Sequence, residues 1–334
     1  MGKLNVAIMG AGNIAGSMAA ALAGIKDEVV SYAVASRDIE KAKSFADKWG
    51  FQKAYGSYEE LVEDNKVDLI YIATPHAMHY ENAKLALTHD KAVLVEKAFT
   101  ANKKQATELV SIARERKVLL AEAIWTRYLP ARKMIEKIIA EGRIGEVKTV
   151  EADFSVPICE VPRLREPALA GGALLDLGVY TLTFASMFLG DDVASVESDC
   201  ILYQTGVDAT DRITLHYADG KTAYLRTSMV SGSRNEGFIN GTKGYIYVNN
   251  LNNLEKFFVY DEKGKLVEEI AGPMLVNGYE YEVLACKEAL ESGAMECEQM
   301  PHSEILTVMG QMDSLRAKWG VVYPFETMRD LEGK

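Results

Sequence analysis

Cysteine is scarce in this chain of 334 residues: Cys159, Cys200, Cys286 and Cys297 are scattered, and no pair has C-x-x-C spacing. That excludes a zinc ribbon or a vicinal redox dithiol as a sequence signature and reads as thiols in a reducing compartment, with the cytoplasm as the expected location. Positive charge is also short. Lys and Arg total 37 against 48 Asp and Glu, a formal net charge of -11. A generic nucleic-acid surface needs the opposite balance, so no nucleic-acid partner is expected, though one local basic pocket remains compatible. No apolar run reads as the ~20 residues that cross a bilayer, and no membrane partner is expected. The N-terminus lacks the apolar core and cleavage site of a secretory signal, and Val6 stands where a myristoylation motif needs Ser or Thr. Internal repeats and low-complexity segments are missing too. What is there is ordinary globular composition, 48% hydrophobic and 25% charged, at a length that suggests two domains.

The first ~120 residues alternate short apolar runs with helical patterns. Leu4–Met9, Val29–Ala35, 68–73, 92–95 and 118–121 read as strands buried on both faces of a parallel sheet. Ala106, Leu109, Val110 and Ala113 recur at i, i+3, i+4 and i+7, one apolar helix face, and Ser57-Tyr58-Glu59-Glu60 fits a capping box. Such alternation predicts right-handed β-α-β units and a doubly wound α/β fold. After about Glu141 the pattern changes. Residues 147–156 alternate loosely, an irregular stretch with Pro157, Pro162 and Pro167 runs to Gly171-Gly172, and an apolar helical segment ends near Leu189. From Ser195 to Ile270 the chain reads as antiparallel strands. Ile213, Leu215 and Tyr217 face one way and Thr214 and His216 the other, with turns at 218–220 and 262–264. Ile305, Val308, Met309, Met312 and Leu315 mark a last amphipathic helix. The division adopted is 1–122 for a nucleotide-binding domain and 123–334 for an α+β substrate-binding and dimerisation domain with a large, mostly antiparallel open sheet. The final helix is a candidate to pack back on the first domain.

Gly10-Ala11-Gly12-Asn13-Ile14-Ala15 lies between the first strand and the first helix. Glycines there allow a tight turn and close backbone approach, and the helix start offers free N–H groups to a pyrophosphate. The second strand ends in Ser36-Arg37, with Lys41 one turn further on, where an NAD site would carry an acid for the ribose hydroxyls. A guanidinium pairs with a 2′-phosphate, so NADP is expected over NAD. The alternative is a solvated helix-start arginine.

Ligands of open parallel sheets bind beyond the carboxyl ends of the strands. Thr74-Pro75, Glu96-Lys97 and Glu122–Trp125 follow the third, fourth and fifth strands there. Lys97 suits proton transfer or carbonyl polarisation, although an isolated lysine is more often a surface charge. Its support comes from Gly171–Tyr180, where Asp176 and Tyr180 stand at i, i+4. On an α-helix they share a face, and against an ammonium they form a proton-handling set. The plainer reading is an Asp at a helix start and a Tyr covering the core. His76 and His79 lack a third ligand at sensible spacing, so no metal is expected.

With these motifs in place, the sequence resembles the glucose–fructose oxidoreductase / inositol dehydrogenase / MocA family. Gly10–Ala15, Glu96-Lys97 and Gly171–Tyr180 stand in the expected order, and the likeness runs through essentially the whole chain. The stretch 122–127 and a tyrosine at 180, where many members have histidine, are similar to the dimeric dihydrodiol and NADP-linked xylose dehydrogenase branch. The resemblance implies a Rossmann domain and hydride transfer between nicotinamide and a carbinol or carbonyl carbon of a neutral sugar, polyol or diol. Tyr180 would be the general acid/base, Lys97 its charge partner and Asp176 an orienting group. It also places His79 near the cofactor, and the strand-end reading adds Gly10, Gly12, Asn13, Ile14, Ser36, Arg37, Lys41, Thr74, Pro75, Glu96 and Lys97 as cofactor-binding candidates. Trp125 and Phe154 would form an apolar wall and Arg127 a polar contact. The loop 157–170 is a candidate lid, and Arg165 within it a candidate substrate or phosphate contact. One departure stands out: Ala98 replaces the family's proline after Glu96-Lys97. Related proteins pair through the outer face of the second sheet, so a homodimer or larger homo-oligomer is expected. Two other readings are a relative that keeps its cofactor and uses it transiently, and a non-catalytic sensor. The joint presence of Lys97, Tyr180 and Asp176 favours a dehydrogenase.

Overall fold

A computed structural model describes residues 2–332. They separate into two compact units. One comprises the residues up to Ile124 with Leu275–Met309, the other Trp125–Met274 with the segment from Gly310 onward.

The first unit is built on a six-stranded sheet ordered β3-β2-β1-β4-β5-β6. Its strands are β1 (Leu4–Met9), β2 (Val29–Ala35), β3 (Lys53–Tyr55), β4 (Leu69–Ile72), β5 (Ala92–Glu96) and β6 (Leu120–Ala123). Every neighbouring pair is parallel. Continuous burial along β4, β5 and β6 accounts for their unbroken apolar runs. The strands connect through α1 (Asn13–Gly24), α2 (Ile39–Trp49), α3 (Tyr58–Val62), α4 (His79–Thr88) and α5 (Lys103–Arg116). The short β3 has only three residues, too few for alternation to show, and it escaped the sequence reading. The Ser57 hydroxyl accepts from the Glu60 N–H at 3.1 Å, and the Glu60 carboxylate reaches back to the Gly56 N–H, one residue before the cap. The strand order reverses between β1 and β4, and the crevice at that switch point is where such sheets take their ligands.

Leu275–Met309 completes this unit. The β6 edge donates from Leu120 N–H to the Met295 carbonyl, and its Leu120 carbonyl meets His302 Nε2 at 2.9 Å. The Asn277 amide donates to the Ser17 carbonyl. These contacts close an edge that would otherwise leave backbone groups unpaired.

The second unit holds α6 (Pro130–Ala140), β7 (Val147–Ser155), the one-turn α7 (Pro162–Arg165) and α8 (Val179–Leu189). Then come β8 (Val193–Leu202), β9 (Asp208–Tyr217), β10 (Thr222–Ser228), β11 (Gly237–Gly241), β12 (Gly244–Val248), β13 (Lys256–Asp261) and β14 (Leu266–Ala271). Its eight-stranded sheet runs β14-β13-β12-β11-β7-β10-β9-β8. Only the β7–β10 pair is parallel; the other neighbours are antiparallel. Ile213, Leu215 and Tyr217 are buried and Thr214 and His216 half-buried, as the alternation predicts. Helix α8 packs on β7 and β10, and most of its residues are buried. One expectation needs correcting. The helical stretch Pro167–Leu189 is 23 residues long and apolar enough to span a bilayer, but 94% of its apolar window is buried. Two short turns run into α8, so its length is not visible as one apolar run, and burial identifies a core helix.

Candidate active site

In the first unit the residues singled out from sequence converge on the carboxyl edge of the sheet. Gly10 leaves β1 with φ of +107°, and a Cβ there would lie 2.8 Å from the Ala73 carbonyl oxygen at the end of β4. Only glycine allows β1 and β4 to turn out so closely. Gly12 precedes α1 in extended conformation, and a Cβ placed on it meets nothing within 4 Å. No side chain caps α1, and its first turn carries no acid. A helix start left uncapped, with open space at Gly12, suits an anion, so the Gly12, Asn13 and Ile14 backbone fits a pyrophosphate.

At the tip of β2, Ser36 is buried and its hydroxyl accepts from the Asp38 N–H. Asp38 caps α2, its Oδ1 accepting from the N–H groups of Glu40 and Lys41 at 3.0 and 3.3 Å. The acid nearest the strand tip along the chain is therefore engaged with a helix start, while Arg37 and Lys41 are exposed. Burial pushes the Tyr58 phenol up, and the Arg37 guanidinium acts against it.

His79 is fully buried at the start of α4 and links two strand ends. Its Nε2 meets the Thr74 carbonyl at 2.8 Å and its Nδ1 the Ala98 carbonyl at 2.9 Å. The Thr74 hydroxyl accepts from Asn82, while Pro75 is exposed. Burial holds the His79 pKa below its ordinary value despite the two carbonyls, and the nearby Lys97 ammonium adds to the depression. With both ring nitrogens facing carbonyls, His79 works as a strut between the loops after β4 and β5. The buried Glu96 carboxylate accepts from the Tyr71 hydroxyl and, at 3.1 Å, from the Lys97 N–H. Burial, then the Glu96 charge, drives the Tyr71 phenol well above its usual range. Lys97 is half-buried, and the Lys97–Ala98 peptide is cis. Glu122 Oε1 accepts from the Phe99 N–H at 3.0 Å, which ties the next loop to β6.

In the second unit Trp125, Phe154 and Tyr180 come together. Trp125 Nε1–H donates to the Tyr180 hydroxyl oxygen at 3.2 Å. The Phe154 ring meets the Tyr180 ring edge-on, 5.1 Å between centroids. An indole N–H only donates, so the Tyr180 oxygen accepts here and its own hydrogen is directed elsewhere. Arg127 is buried and donates to the Ser186 hydroxyl on α8 at 3.1 Å. Asp176 does not sit on an α-helical turn. Leu174–Gly178 is a π-helical turn that leads into α8. Its carboxylate, 4% exposed, receives Arg163 Nη1 at 2.9 Å and Nη2 at 3.4 Å. Arg165 instead pairs with Glu160, which is 85% exposed.

Sequence reasoning missed Arg163, which stands in the one-turn α7, too short for periodicity to mark it. It also missed two buried acids, Asp208 and Asp211 on β9. Burial pushes both carboxyls up, and Asp208 adds to the effect on Asp211. The alternation that buries Ile213, extended back two residues, puts Asp211 inward, so that signal was available.

A doubly wound nucleotide-type sheet, a glycine turn on an uncapped helix and a separate antiparallel sheet unit holding a buried tyrosine define the class of nicotinamide-nucleotide oxidoreductases. Comparison with known proteins gives the particular family. Residues 4–123 match an oxidoreductase family described as having an NAD-binding Rossmann fold, and residues 133–247 match the GFO/IDH/MocA C-terminal domain. The chain is 37% identical over 298 residues to the trans-1,2-dihydrobenzene-1,2-diol dehydrogenase of Xenopus laevis, covering 87% of this chain and 90% of that one. To the Mus musculus protein of the same name it is 34% identical over 323 residues, covering 95% and 97%. Among solved structures it is similar to a 3-ketoreductase from Actinomadura kijaniata in complex with NADP and TDP-benzene, with a TM-score of 0.85, 27% identity and coverage of 94% and 97%. The chain belongs to the Gfo/Idh/MocA oxidoreductase family and is an enzyme of the dehydrogenase/reductase type.

Proposed function

We propose that the protein is an NADP-dependent dehydrogenase or reductase acting on a CH–OH/C=O pair in a neutral sugar, polyol or dihydrodiol. The observation that carries the reading is the buried Tyr180, whose oxygen receives the Trp125 indole N–H and whose ring rests on Phe154. A phenol held in this way is an oriented proton donor and acceptor, and the aromatic faces suit the carbons of a sugar or diol ring. Relatives named as dihydrodiol dehydrogenases and an NADP-bound ketoreductase neighbour support the same chemistry.

The bound nicotinamide supplies the hydride acceptor or donor. In the oxidative direction the carbinol carbon loses a hydride, the Tyr180 oxygen takes the hydroxyl proton, and a carbonyl results. Lys97 is assigned the ammonium that favours the phenolate, and Asp176 the orienting carboxylate. The N–H groups at the start of α1 bind the pyrophosphate, and Arg37 with Lys41 the 2′-phosphate. Engagement of Asp38 as a helix cap supports NADP, because it draws the local acid away from a phosphate.

The proposed assembly is a homodimer through the open face of the eight-stranded sheet, with the protein in the cytoplasm. That face carries Phe238, Tyr245, Tyr247, Phe258 and Tyr260 in ring contact, and Tyr224 is 51% exposed. A second copy would cover these rings. Sedimentation at micromolar concentration should give twice the chain mass, and a monomer mass would refute the assembly.

The enzymatic reading is tested by following nicotinamide absorbance with NADP and NAD against aldoses, inositols, ketosugars and trans-dihydrodiols. Turnover with NADP that collapses in Lys97→Ala and Tyr180→Phe is expected. Arg37→Glu should reverse the nucleotide preference. Failure to bind either nucleotide would end the proposal.

A further inference from the structure

The loop 157–170 leads through Gly171-Gly172 into the turn that carries Asp176 and on to Tyr180. Three contacts tie it down. The Gly172 N–H donates to the Leu164 carbonyl at 2.8 Å, the Gly171 N–H donates to the Glu166 carbonyl at 3.2 Å, and Leu164 is fully buried. The third contact is the fork of Arg163 on Asp176. It differs from the other ion pair of the loop. Arg165–Glu160 is exposed to water, where such pairs contribute little. The Asp176 carboxylate is 4% exposed, and a buried charge that loses an ion-pair partner is disfavoured. It also sits in a π-helical turn, a rare local form whose backbone pairing is less regular than that of an α-helix. A guanidinium fork fixes both the position and the orientation of a carboxylate, which a point charge does not.

We propose that Arg163 is a positioning residue: its fork holds the Asp176 carboxylate and couples the loop 157–170 to the turn that presents Tyr180. The inference rests on the dehydrogenase reading for its kinetic part and on geometry alone for its structural part. If the pair sets reacting geometry rather than ground-state affinity, its loss lowers kcat and leaves KM nearly unchanged.

The test uses the full-length protein with Arg163→Ala, Arg163→Lys, Asp176→Asn and the Arg163→Ala/Asp176→Asn double variant. In Arg163→Ala, kcat should fall about a hundredfold, the scale of a 1 Å misplacement, with KM within about threefold. Arg163→Lys keeps the charge without the fork and should recover part of the loss. The double variant should be no worse than the poorer single one, because both remove the same contact. Hydrogen exchange followed by mass spectrometry gives a readout independent of turnover. Amides over 157–180 should exchange faster in Arg163→Ala and in Asp176→Asn. A raised KM with wild-type kcat would make Arg163 a substrate contact and overturn the proposal, as would additive losses in the double variant. If the wild type turns over nothing on the substrate panel, the dehydrogenase reading fails by itself. The exchange data then decide the coupling: faster exchange sustains it and unchanged exchange overturns it.

Discussion

Replacing Gly12 by alanine should separate folding from nucleotide binding. The Cβ added there meets no atom within 4 Å, and Gly12 is extended, a conformation alanine adopts freely. Unfolding free energy should therefore change by no more than about 0.5 kcal/mol, a Tm shift of about 1–2 °C. The new methyl nevertheless stands at the uncapped start of α1, where a pyrophosphate would rest against the backbone. Pushing the diphosphate out by about a bond length would weaken two or so charge-assisted hydrogen bonds, each worth ~1.5–3 kcal/mol. A loss near 3 kcal/mol is about a hundredfold in Kd. The neighbouring Gly10→Ala variant is the contrast. With φ at +107° and a Cβ 2.8 Å from the Ala73 carbonyl oxygen, it should cost ~2–4 kcal/mol of stability and lower Tm by roughly 5–15 °C. Calorimetric titration with NADP and thermal unfolding, run on both variants, measure the two effects. Wild-type affinity in a folded Gly12→Ala protein would refute the placement of the pyrophosphate.

In the second unit Arg316 is fully buried, paired with Glu326 and Asp313, with its guanidinium 4.3 Å from the Tyr323 ring centre. Arg316→Met removes the cation from between two buried acids and should destabilise by ~3–5 kcal/mol, read as an earlier urea midpoint; Glu326→Gln added to it should restore part. A pH effect follows from His79. Burial lowers its folded pKa below the ordinary 6.5, so the unfolded chain takes up a proton that the folded chain refuses. Its contribution is intact above that value and is lost as pH falls through it, by at most ~1.4 kcal/mol per pH unit. Unfolding between pH 7.5 and 5.5 should show this slope, and His79→Gln should flatten it. An unchanged slope in that variant would assign the effect elsewhere, with His302, also depressed by burial, the next residue to vary.

Much of the first unit was written in local sequence. β1 and β2 have the boundaries that their apolar runs predict, because strands buried on both faces admit little else. The glycine turn was legible because positive φ and close approach restrict the residue at that point. The second sheet was legible as alternation, since one face packs under α8 and the other does not. Tertiary structure decided the rest. Nothing local says that Leu275–Met309 joins the first unit, a placement fixed by unpaired groups at the β6 edge and satisfied by Met295 and His302. Asp176 and Tyr180 were read as an α-helical pair, but the turn before α8 is π-helical. The guanidinium that the Asp176 carboxylate meets, that of Arg163, lies thirteen residues away in the one-turn α7. A pattern along the chain records which residues share a face. Which residue meets a buried charge depends on where a loop without periodicity comes to rest, and only the folded chain decides that.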